Sequence, residues 1–384
     1  MTNTNIPTSS RWIATSGRDQ TPPGGRRSPS GCEDRDKTLI HGLSRLELGE
    51  ACKGLGVPSY RAGQIWTWLY GQRVTDWAEM KNLPVSLRET LAGQFDLVSV
   101  LNRKVEGSPN GTRKILVGLR DRECVEEVLI PAGNRRTVCV SSQVGCRFSC
   151  VFCASGKGGY VRNLDAGEMV GQVLLAWKEY GDRPSNIVFM GMGEPFDNLD
   201  AVLKAIRILN DSDGINIGAR HMTVSTSGVI PGIERLASEG IQVELSVSLH
   251  APNDALRSRL MPVNRKYPLA ELLEACRRYV ATTKRIITFE YTLIRGVNDS
   301  RPQALELAKL LRSVSGRVNL IPLSPVEGFE GQAPTSGTAE MFIEVLGKAG
   351  INATTRLSKG TTIDAACGQL RMRACGGDSR KTLE

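Results

Sequence analysis

The chain alternates between short apolar runs and longer segments whose apolar residues recur at helical spacing. Between residues 136 and 350, six strand-like runs are each followed by an amphipathic segment with helical periodicity. The strands are predicted at 137–144, 186–193, 221–228, 242–250, 285–294 and 316–324. The helices are predicted at 164–181, 198–209, 230–240, 268–283, 301–314 and 336–350. Six successive βα units indicate an α/β protein with a parallel sheet, either open and doubly wound or closed toward a barrel.

The segment after the first predicted strand helps to choose between these two architectures. A dinucleotide-binding sheet carries the pattern G-x-G-x-x-G at this point, and residues 145–150 read GCRFSC instead. We therefore favour a complete or partial (β/α) barrel for residues 136–350. In such barrels the chemistry collects at the carboxyl ends of the strands.

The segments before the barrel have different patterns. Residues 1–38 are rich in Pro, Gly, Ser and charge, and their few large apolar residues cannot offset the entropy of ordering, so we predict a disordered tail. Residues 39–97 show helical spacing interrupted near Gly54 and Pro84, which predicts an accessory domain of three or four short helices. Its large aromatic residues either form a local core or present a base-stacking surface, and they are Trp66, Trp68, Tyr70 and Trp77.

Two further segments complete the predicted organisation. Residues 98–135 contain the strand-like runs RKILVGL and ECVEEVLIP, which indicate a small β extension before the barrel. Residues 351–384 follow the last predicted helix and include a Gly- and Ala-rich stretch, DAACG. A C-terminal segment of this kind could reach the mouth of the barrel.

Composition and charge narrow the class of protein. The formal net charge of +9 favours an acidic partner, and nucleic acid fits best. No apolar run is long enough to cross a membrane, and the N-terminus lacks a secretory signal, so we predict a cytoplasmic protein without a membrane partner. The ten cysteines are scattered along the chain, which indicates reduced thiols, metal ligands or catalysis rather than a disulfide framework.

Three of these cysteines lie close together directly after the first predicted strand. Cys146, Cys150 and Cys153 have the spacing C-x3-C-x2-C, with Phe152 before the third. A structural zinc site needs four ligands, and His221 or a distant cysteine could supply the fourth. The short spacing is more typical of iron–sulfur clusters. Three thiolates on a [4Fe–4S] cluster leave one iron open to another ligand, so we predict that these cysteines hold such a cluster.

The same run carries a family resemblance. CRFSCVFC resembles the signature of radical S-adenosylmethionine (SAM) enzymes, in which the open iron binds SAM. Six further stretches resemble, in the same order, the RlmN family of RNA methyltransferases: VCVSSQVGC, NIVFMGMGEP, VSTSGVIPGI, SVSLHAPND, NLIPLSP and TIDAACGQLR. The likeness extends from about residue 42 to 372. It implies a partial (β/α)6 radical SAM barrel behind an RNA-binding helical accessory domain, with SAM and a [4Fe–4S] cluster as cofactors.

The resemblance implies a reaction at C2 of adenine in 23S ribosomal RNA, with transfer RNA as a second substrate. One SAM methylates a cysteine, which matches Cys367, and a second SAM yields the radical that activates the methyl group. The family pattern assigns Glu126 as the base that removes the C2 proton and Cys139 as the thiol that releases the product through a Cys139–Cys367 disulfide. On a strand, Glu127 would face away from Glu126.

The residues that contact SAM are implied by the same matching. They lie at or after the ends of the predicted strands: Gly193, Glu194, Ser225, Ser248, Leu249, His250 and Ser324. Ser324 departs from the family, which often has Asn at this position, so its hydroxyl offers fewer hydrogen-bonding groups than the amide.

Basic residues near the strand-end loops are the predicted contacts to RNA phosphates, and they are Arg147, Lys157, Arg162, Arg257, Arg259, Arg265 and Lys266. A flavodoxin-type protein is the expected electron donor, and the enzyme is expected to be a monomer. Three alternatives to a C2-directed methyltransferase remain at this stage. They are a C8-directed enzyme of the same family, a zinc-stapled RNA-binding protein without catalysis, and a SAM-cleaving enzyme that acts on protein, which the basic charge and the match at Cys367 disfavour.

Overall fold

The computed structural model describes residues 37–109, 111–356 and 370–371. Nearly all of the predicted tail, residues 1–38, therefore lies outside the described residues, as does most of the C-terminal segment with Cys367.

The N-terminal part of the described chain is mainly helical, as the sequence predicts. A two-stranded parallel pair joins its two ends, and three helices lie between; in chain order the elements are β1 (Thr38–Leu39), α1 (Arg45–Gly54), α2 (Tyr60–Trp66), α3 (Val85–Gln94) and β2 (Phe95–Asp96). Helix α2 continues as a π-helical turn, Thr67–Gln72, and short 3₁₀ turns occupy Ile40–Gly42 and Trp77–Glu79. Ser44 begins α1 with a capping box to Glu47.

The aromatic residues of this segment pack inward. Trp66 and Tyr70 are buried with their rings in an edge-to-face contact, and Trp68 and Trp77 are partly buried against the same core. This core is continuous with the apolar interior of the barrel, since Ile40, Leu48 and Trp66 belong to one cluster with Val202 and Ile206. The helical segment therefore packs directly on the barrel.

Three antiparallel strands precede the barrel. They are β3 (Leu101–Gly107), β4 (Arg113–Gly118) and β5 (Cys124–Ala132). The sequence pattern predicted β4 and β5 and missed β3, which is the outer edge of the sheet. Strand β3 is almost wholly exposed, so it lacks the alternation of apolar and polar residues that reveals a half-buried strand.

All six predicted parallel strands are present. They are β6 (Arg135–Cys139), β9 (Asn186–Phe189), β10 (Met222–Thr226), β11 (Glu244–Ser248), β12 (Ile287–Leu293) and β13 (Gly316–Pro322), with the short antiparallel pair β7 (Gln143–Gly145) and β8 (Tyr160–Asn163) inserted after β6. A seventh parallel strand, β14 (Asn352–Thr355), pairs with β13 and was not predicted. The large sheet has the order β14-β13-β12-β11-β10-β9-β6-β5-β4-β3.

Helices follow the parallel strands at the predicted places. They are α5 (Ala166–Tyr180), α6 (Leu199–Asn210), α7 (Ile230–Ser238), α9 (Leu269–Thr283), α10 (Arg301–Leu311) and α11 (Thr338–Lys348), with two shorter ones, α4 (Ala154–Lys157) and α8 (Asp254–Leu260). Three further 3₁₀ turns occupy Pro195–Asn198, Ala219–His221 and Pro262–Arg265. This alternation confirms the partial (β/α)6 barrel with a helical accessory segment. No helix within the described ranges is long and apolar enough to cross a membrane.

Candidate active site

The cysteine run forms a loop at the carboxyl edge of the sheet. Strand β7 leads into Cys146, whose N–H donates to Gly159 O at 2.9 Å, and Cys153 N donates to Cys150 O at 3.1 Å. The loop is also held by α8, because Val151 N donates to the O of Leu260, the last residue of that helix. Phe152 lies against the ring of His250 with 4.8 Å between ring centroids. The loop therefore rests on the elements that follow β11.

The three thiols of this loop are close enough to affect one another. Burial raises the pKa of Cys146 to about 12, and the neighbouring Cys153 adds to the increase. Burial also raises the pKa of Cys150, with further contributions from Cys153 and Cys146. Without a metal, Cys146 and Cys150 hold their protons at neutral pH. A bound metal would displace the protons, and its attraction for the thiolates would offset their mutual repulsion.

The donor set suits a cluster better than a single ion. Among the described residues, no three His, Cys, Asp or Glu side chains converge on a point where one metal ion could bind. A [4Fe–4S] cluster makes no such demand, because each cysteine binds a different iron. His221, the predicted fourth zinc ligand, lies just before β10 and is exposed, whereas the cysteines lie beyond the carboxyl edge of the sheet. It therefore cannot complete a zinc site with them.

A cavity of about 840 Å³ opens beside this loop and extends into the barrel. Three of the predicted site residues, Cys139, Cys153 and Ser324, line it together. Cys139 is the last residue of β6 and is only 4% exposed. The deeper wall is polar, with Ser246, Glu290 and Asn319 on three neighbouring strands. Cys139, predicted to release the product, and Cys153, predicted to hold the cluster, therefore line the same cavity.

Glu126 lies on β5, beside this cavity. Its carboxylate forms an ion pair with Lys114, with Lys114 Nζ 3.2 Å from Glu126 Oε2, and both side chains are 1% exposed. The other oxygen, Oε1, accepts the backbone N–H of Arg371 at 2.7 Å. Lys114 also lines the cavity. The carboxylate is therefore held by a buried cation on one side and by the C-terminal segment on the other.

Glu127 has a different environment, as the strand geometry predicts. Its neighbour across β4 is Ile115, whereas Glu126 pairs with Leu116. Both carboxyl oxygens of Glu127 are buried without a hydrogen-bond partner in the described structure. Burial raises the pKa of Glu127 well above its ordinary value, and Glu179 raises it further. Burial therefore favours the protonated form of Glu127, which belongs to the packed interior.

The turn after β9 places Gly193 and Glu194 against Gln143. Gly193 has φ +102°, and a Cβ at this position would lie 2.8 Å from the backbone N of Gln143. The Glu194 N–H donates to Gln143 Oε1 at 2.8 Å. The Glu194 carboxylate accepts the N–H groups of Phe196 and Ser227 at 3.1 and 2.7 Å, and its pKa is raised by burial, which these bonds partly oppose. Only glycine allows so close an approach here.

The turns after β10 and β11 hold the remaining predicted SAM contacts. Ser225 and Ser248 lie near the ends of these strands and are half-buried, and Leu249 is fully buried. His250 has φ +55° and accepts the N–H of Thr292 at Nδ1, at 2.9 Å. Burial lowers the pKa of His250 to about 3, so the ring is neutral with its proton on Nε2. His250 can therefore donate one hydrogen bond from Nε2.

The basic residues predicted to bind RNA have three kinds of environment. Arg259, Arg265 and Lys266 are exposed. Arg147 and Arg162 form ion pairs, with Asp197 and with Asp121 and Glu168, and Lys157 donates to Glu327 O. Arg257 is wrong as an RNA contact, because none of its side chain is exposed. Its place on a short helix between strand ends suggested a loop surface, but the helix turns this residue inward.

Sequence reasoning missed two polar residues that organise the site. Lys114 stands within the apolar run RKILVGL, and a lysine inside a strand pattern was the available signal for a buried partner. Gln143 Nε2 donates to Asn163 Oδ1 and Asp197 Oδ2, both at 2.8 Å, and Gln143 Oε1 accepts the N–H of Glu194. No local pattern indicates that Gln143 would join these segments. Cys367, the predicted methyl carrier, lies outside the described residues.

Comparisons with known proteins agree with the geometry of this site. Residues 140–308 match the radical SAM superfamily, and residues 39–97 match the ribosomal RNA large subunit methyltransferase N-terminal domain. A probable dual-specificity RNA methyltransferase RlmN from Geobacillus thermodenitrificans is 47% identical over 351 residues, which cover 91% of this chain and 96% of the relative. The corresponding protein of Moorella thermoacetica is 50% identical over 344 residues, which cover 86% and 96%.

A solved structure shows the same fold. The crystal structure of a radical SAM methyltransferase from Sphaerobacter thermophilus superimposes with a TM-score of 0.84 and is 48% identical in sequence. The match covers 86% of this chain and 98% of that chain. The similarity therefore extends across the accessory segment, the barrel and the cysteine loop together.

Proposed function

This chain belongs to the RlmN family of radical SAM methyltransferases, and from this membership we propose that it methylates C2 of an adenosine in 23S ribosomal RNA. Transfer RNA is the second substrate in this proposal, since the relatives are described as dual-specificity RNA methyltransferases. The proposal places the enzyme in the cytoplasm with its RNA substrates, as a monomer that receives electrons from a flavodoxin-type protein.

The observation that carries the proposal is the shared cavity. Cys139 and the cluster cysteine Cys153 line one space of about 840 Å³, and Lys114, which also lines it, is paired with Glu126. A thiol and a carboxylate are the two groups that product release requires. In the sequence, Cys367 comes four residues before Arg371, whose N–H is bonded to Glu126.

The chemistry explains why a cysteine must carry the methyl group. C2 of adenine lies between two ring nitrogens and is too electron-poor to attack a sulfonium methyl. In the proposed first stage the Cys367 thiolate takes the methyl group of one SAM, and S-adenosylhomocysteine leaves. Cys146, Cys150 and Cys153 would hold a [4Fe–4S] cluster, which would supply the single electron needed to cleave a second SAM to methionine and a carbon radical.

The remaining steps belong to three residues of this chain. The S-methyl group of Cys367 gives one hydrogen atom to the radical, and its carbon then bonds to C2. The adduct releases one electron, which balances the electron used to cleave SAM, and Glu126 accepts the C2 proton. The Cys139 thiolate attacks the sulfur of Cys367, so the C–S bond breaks, the carbon takes a proton to become methyl, and a disulfide remains for a cellular dithiol to reduce.

Glu126 must change partners to act as this base. In the structure both carboxylate oxygens are engaged, one by Lys114 and one by the N–H of Arg371. We propose that the contact with Arg371 opens as the RNA base enters, while Lys114 keeps the carboxylate in place. The residues proposed to position SAM are Gly193, Glu194, Ser225, Ser248, Leu249, His250 and Ser324.

The experiment that tests the proposal is mass spectrometry of nucleosides. Anaerobically reconstituted protein is incubated with methyl-deuterated SAM, reduced flavodoxin and protein-free 23S ribosomal RNA. We expect labelled 2-methyladenosine, lost in Cys367→Ala and retained in Cys52→Ala, whose thiol is buried in the accessory segment away from the cavity. In Cys139→Ala we expect a covalent protein–RNA adduct on denaturing gels.

The other outcomes identify a different function. Labelled 8-methyladenosine would keep the mechanism and overturn the choice of carbon. Cleavage of SAM without any labelled adenosine would mean that the substrate is not RNA. Colourless protein without iron and sulfide would contradict the cluster and with it the whole proposal.

A further inference from the structure

Arg257, on α8, is a buried cation with unusual partners. Its side chain is completely inaccessible to solvent. The guanidinium donates to the backbone oxygens of Ser227, Ser248 and Leu249 at 2.6, 3.0 and 3.2 Å. It also donates to Asn264 Oδ1 at 2.8 Å and to Tyr267 O at 3.5 Å. Arg257 therefore joins the turn after β10 to the turn after β11.

All of these acceptors are neutral, so the hydrogen bonds satisfy the donors and leave the charge uncompensated. Arg257 takes part in none of the ion pairs within the described part of the chain. A buried charge without an ionised partner costs several kcal/mol in general, which calls for a negative group nearby. Burial lowers the pKa of Arg257 to about 10, while Cys150 and, less strongly, Asp254 act in the opposite direction.

The larger of these two effects comes from Cys150, a proposed cluster ligand. Cys150 packs against the apolar cluster that contains Leu256 and Leu260 of α8, and the next residue in the loop, Val151, is hydrogen-bonded to Leu260 O. Asp254 is engaged elsewhere, since its carboxylate accepts from Asn264 Nδ2 and from Leu269 N at 2.9 and 2.8 Å. The cysteine loop therefore packs against α8, the helix that carries the uncompensated charge of Arg257.

We propose that Arg257 is a fixed positive charge that compensates the charge of the iron–sulfur cluster and stabilises its reduced state. Its hydrogen bonds hold in position the turns after β10 and β11, which carry proposed SAM contacts. The inference rests on the proposed function, in that it requires a cluster on Cys146, Cys150 and Cys153. Reduction adds one electron from the flavodoxin-type donor and makes the cluster more negative. A buried cation favours that added charge and raises the midpoint potential.

Two substitutions separate the charge from the hydrogen bonds. Arg257→Gln removes the charge, and Arg257→Lys retains it but loses the planar fork that spans the two turns. For Arg257→Gln we expect reduction to be disfavoured about tenfold, equivalent to about 59 mV toward more negative potential for one electron. For Arg257→Lys we expect the wild-type potential with weaker SAM binding. Arg259→Gln, the matched control, removes an exposed charge two residues away and should change neither value.

The measurements are an EPR-monitored redox titration of the reconstituted cluster and an anaerobic SAM-binding isotherm, with iron and sulfide analysis of each protein. A wild-type protein that holds no cluster would defeat the proposed function itself. A full cluster in Arg257→Gln with the wild-type potential would overturn the inference about Arg257 alone. Arg257→Met provides a second uncharged variant if the glutamine protein does not fold. An equal negative shift in Arg257→Lys would also overturn it, because the charge is still present there.

Discussion

At the scale of single residues, neighbours in the sequence have opposite environments. Glu126 is paired with Lys114, whereas Glu127 is buried without a hydrogen-bond partner in the described structure. Because side chains alternate along a strand, Glu126 and Glu127 point to opposite faces of β5. Glu126 meets Lys114 of β4, and Glu127 feels the charge of Glu179 on α5. Gly193 and Glu127 give two predictions that can be tested independently of the overall reaction.

Gly193 should be required for SAM binding. In Gly193→Ala the new Cβ would meet the backbone of Gln143, and φ +102° is strained for any L side chain, so the turn that carries Glu194 must move. We expect at least a tenfold loss of SAM affinity in an anaerobic binding isotherm. Gly181→Ala is the matched control, because Gly181 also has positive φ, at +72°, but has open space around it. Equal losses in both variants would show that general backbone strain, not the contact with Gln143, is responsible.

Glu127 should make the stability of the protein depend on pH. Its pKa is raised above the ordinary value of 4.5, so the folded protein keeps a proton that the unfolded chain releases. Stability is therefore lost as pH rises from about 4.5 through the folded pKa. In urea titrations without cluster, we expect the difference in unfolding free energy to move in favour of Glu127→Gln over wild type as pH rises above about 4.5. A difference that stays constant with pH would contradict this account.

At the scale of elements, local signals located most helices and strands. Helix α5 is an example. At its start, Asp165 Oδ1 accepts from Glu168 N at 2.8 Å, and Glu168 Oε2 accepts from Asp165 N at 3.0 Å. At its end, Gly181 adopts the left-handed conformation. These signals lie within a few residues of the helix and are visible in the sequence. Strands β3 and β14 were missed because they are short or exposed, and their pairing depends on neighbours distant in sequence.

The capping box of α5 should contribute measurable stability. Asp165→Ala leaves the N–H of Glu168 without its side-chain acceptor at the start of a helix that packs on the barrel. We expect a loss of about 1 kcal/mol in the free energy of unfolding, measured by urea titration. Ser59→Ala is the control, since Ser59 precedes α2 but makes no capping hydrogen bond from its side chain. Similar losses for both would mean that the cap adds nothing beyond the local propensity.

At the scale of the whole molecule, the net charge of +9 predicts that RNA binding is largely electrostatic. The exposed Arg265 and Lys266 lie in the loop after α8, beyond the carboxyl edge of the sheet. Lys309 lies in the last turn of α10, and this helix runs back toward the opposite edge. The two ends of the barrel should therefore differ in how strongly they affect RNA affinity.

The salt dependence of RNA binding tests whether the two ends of the barrel differ in their effect on affinity. For Arg265→Gln we expect a similar loss of affinity for different RNA sequences and a decrease of about 1 in the slope of log K against log salt concentration. Lys309→Gln should leave both quantities unchanged. Filter binding over a series of salt concentrations measures them. An equal effect of the two substitutions would mean that charge acts through the net value rather than through one face.

The amino-acid sequence by itself determined the order of the six βα units, the spacing of the cysteine loop and the membership of the family, because each can be read from local runs of residues along the chain. The tertiary structure alone decided that Cys139 shares a cavity with Cys153, that Lys114 is the partner of Glu126, and that Arg257 is buried on the helix to which the cysteine loop is hydrogen-bonded. Each of these contacts joins different parts of the chain. They depend on the register of the strands and on the curvature that brings the sheet around, and neither is encoded in a local pattern.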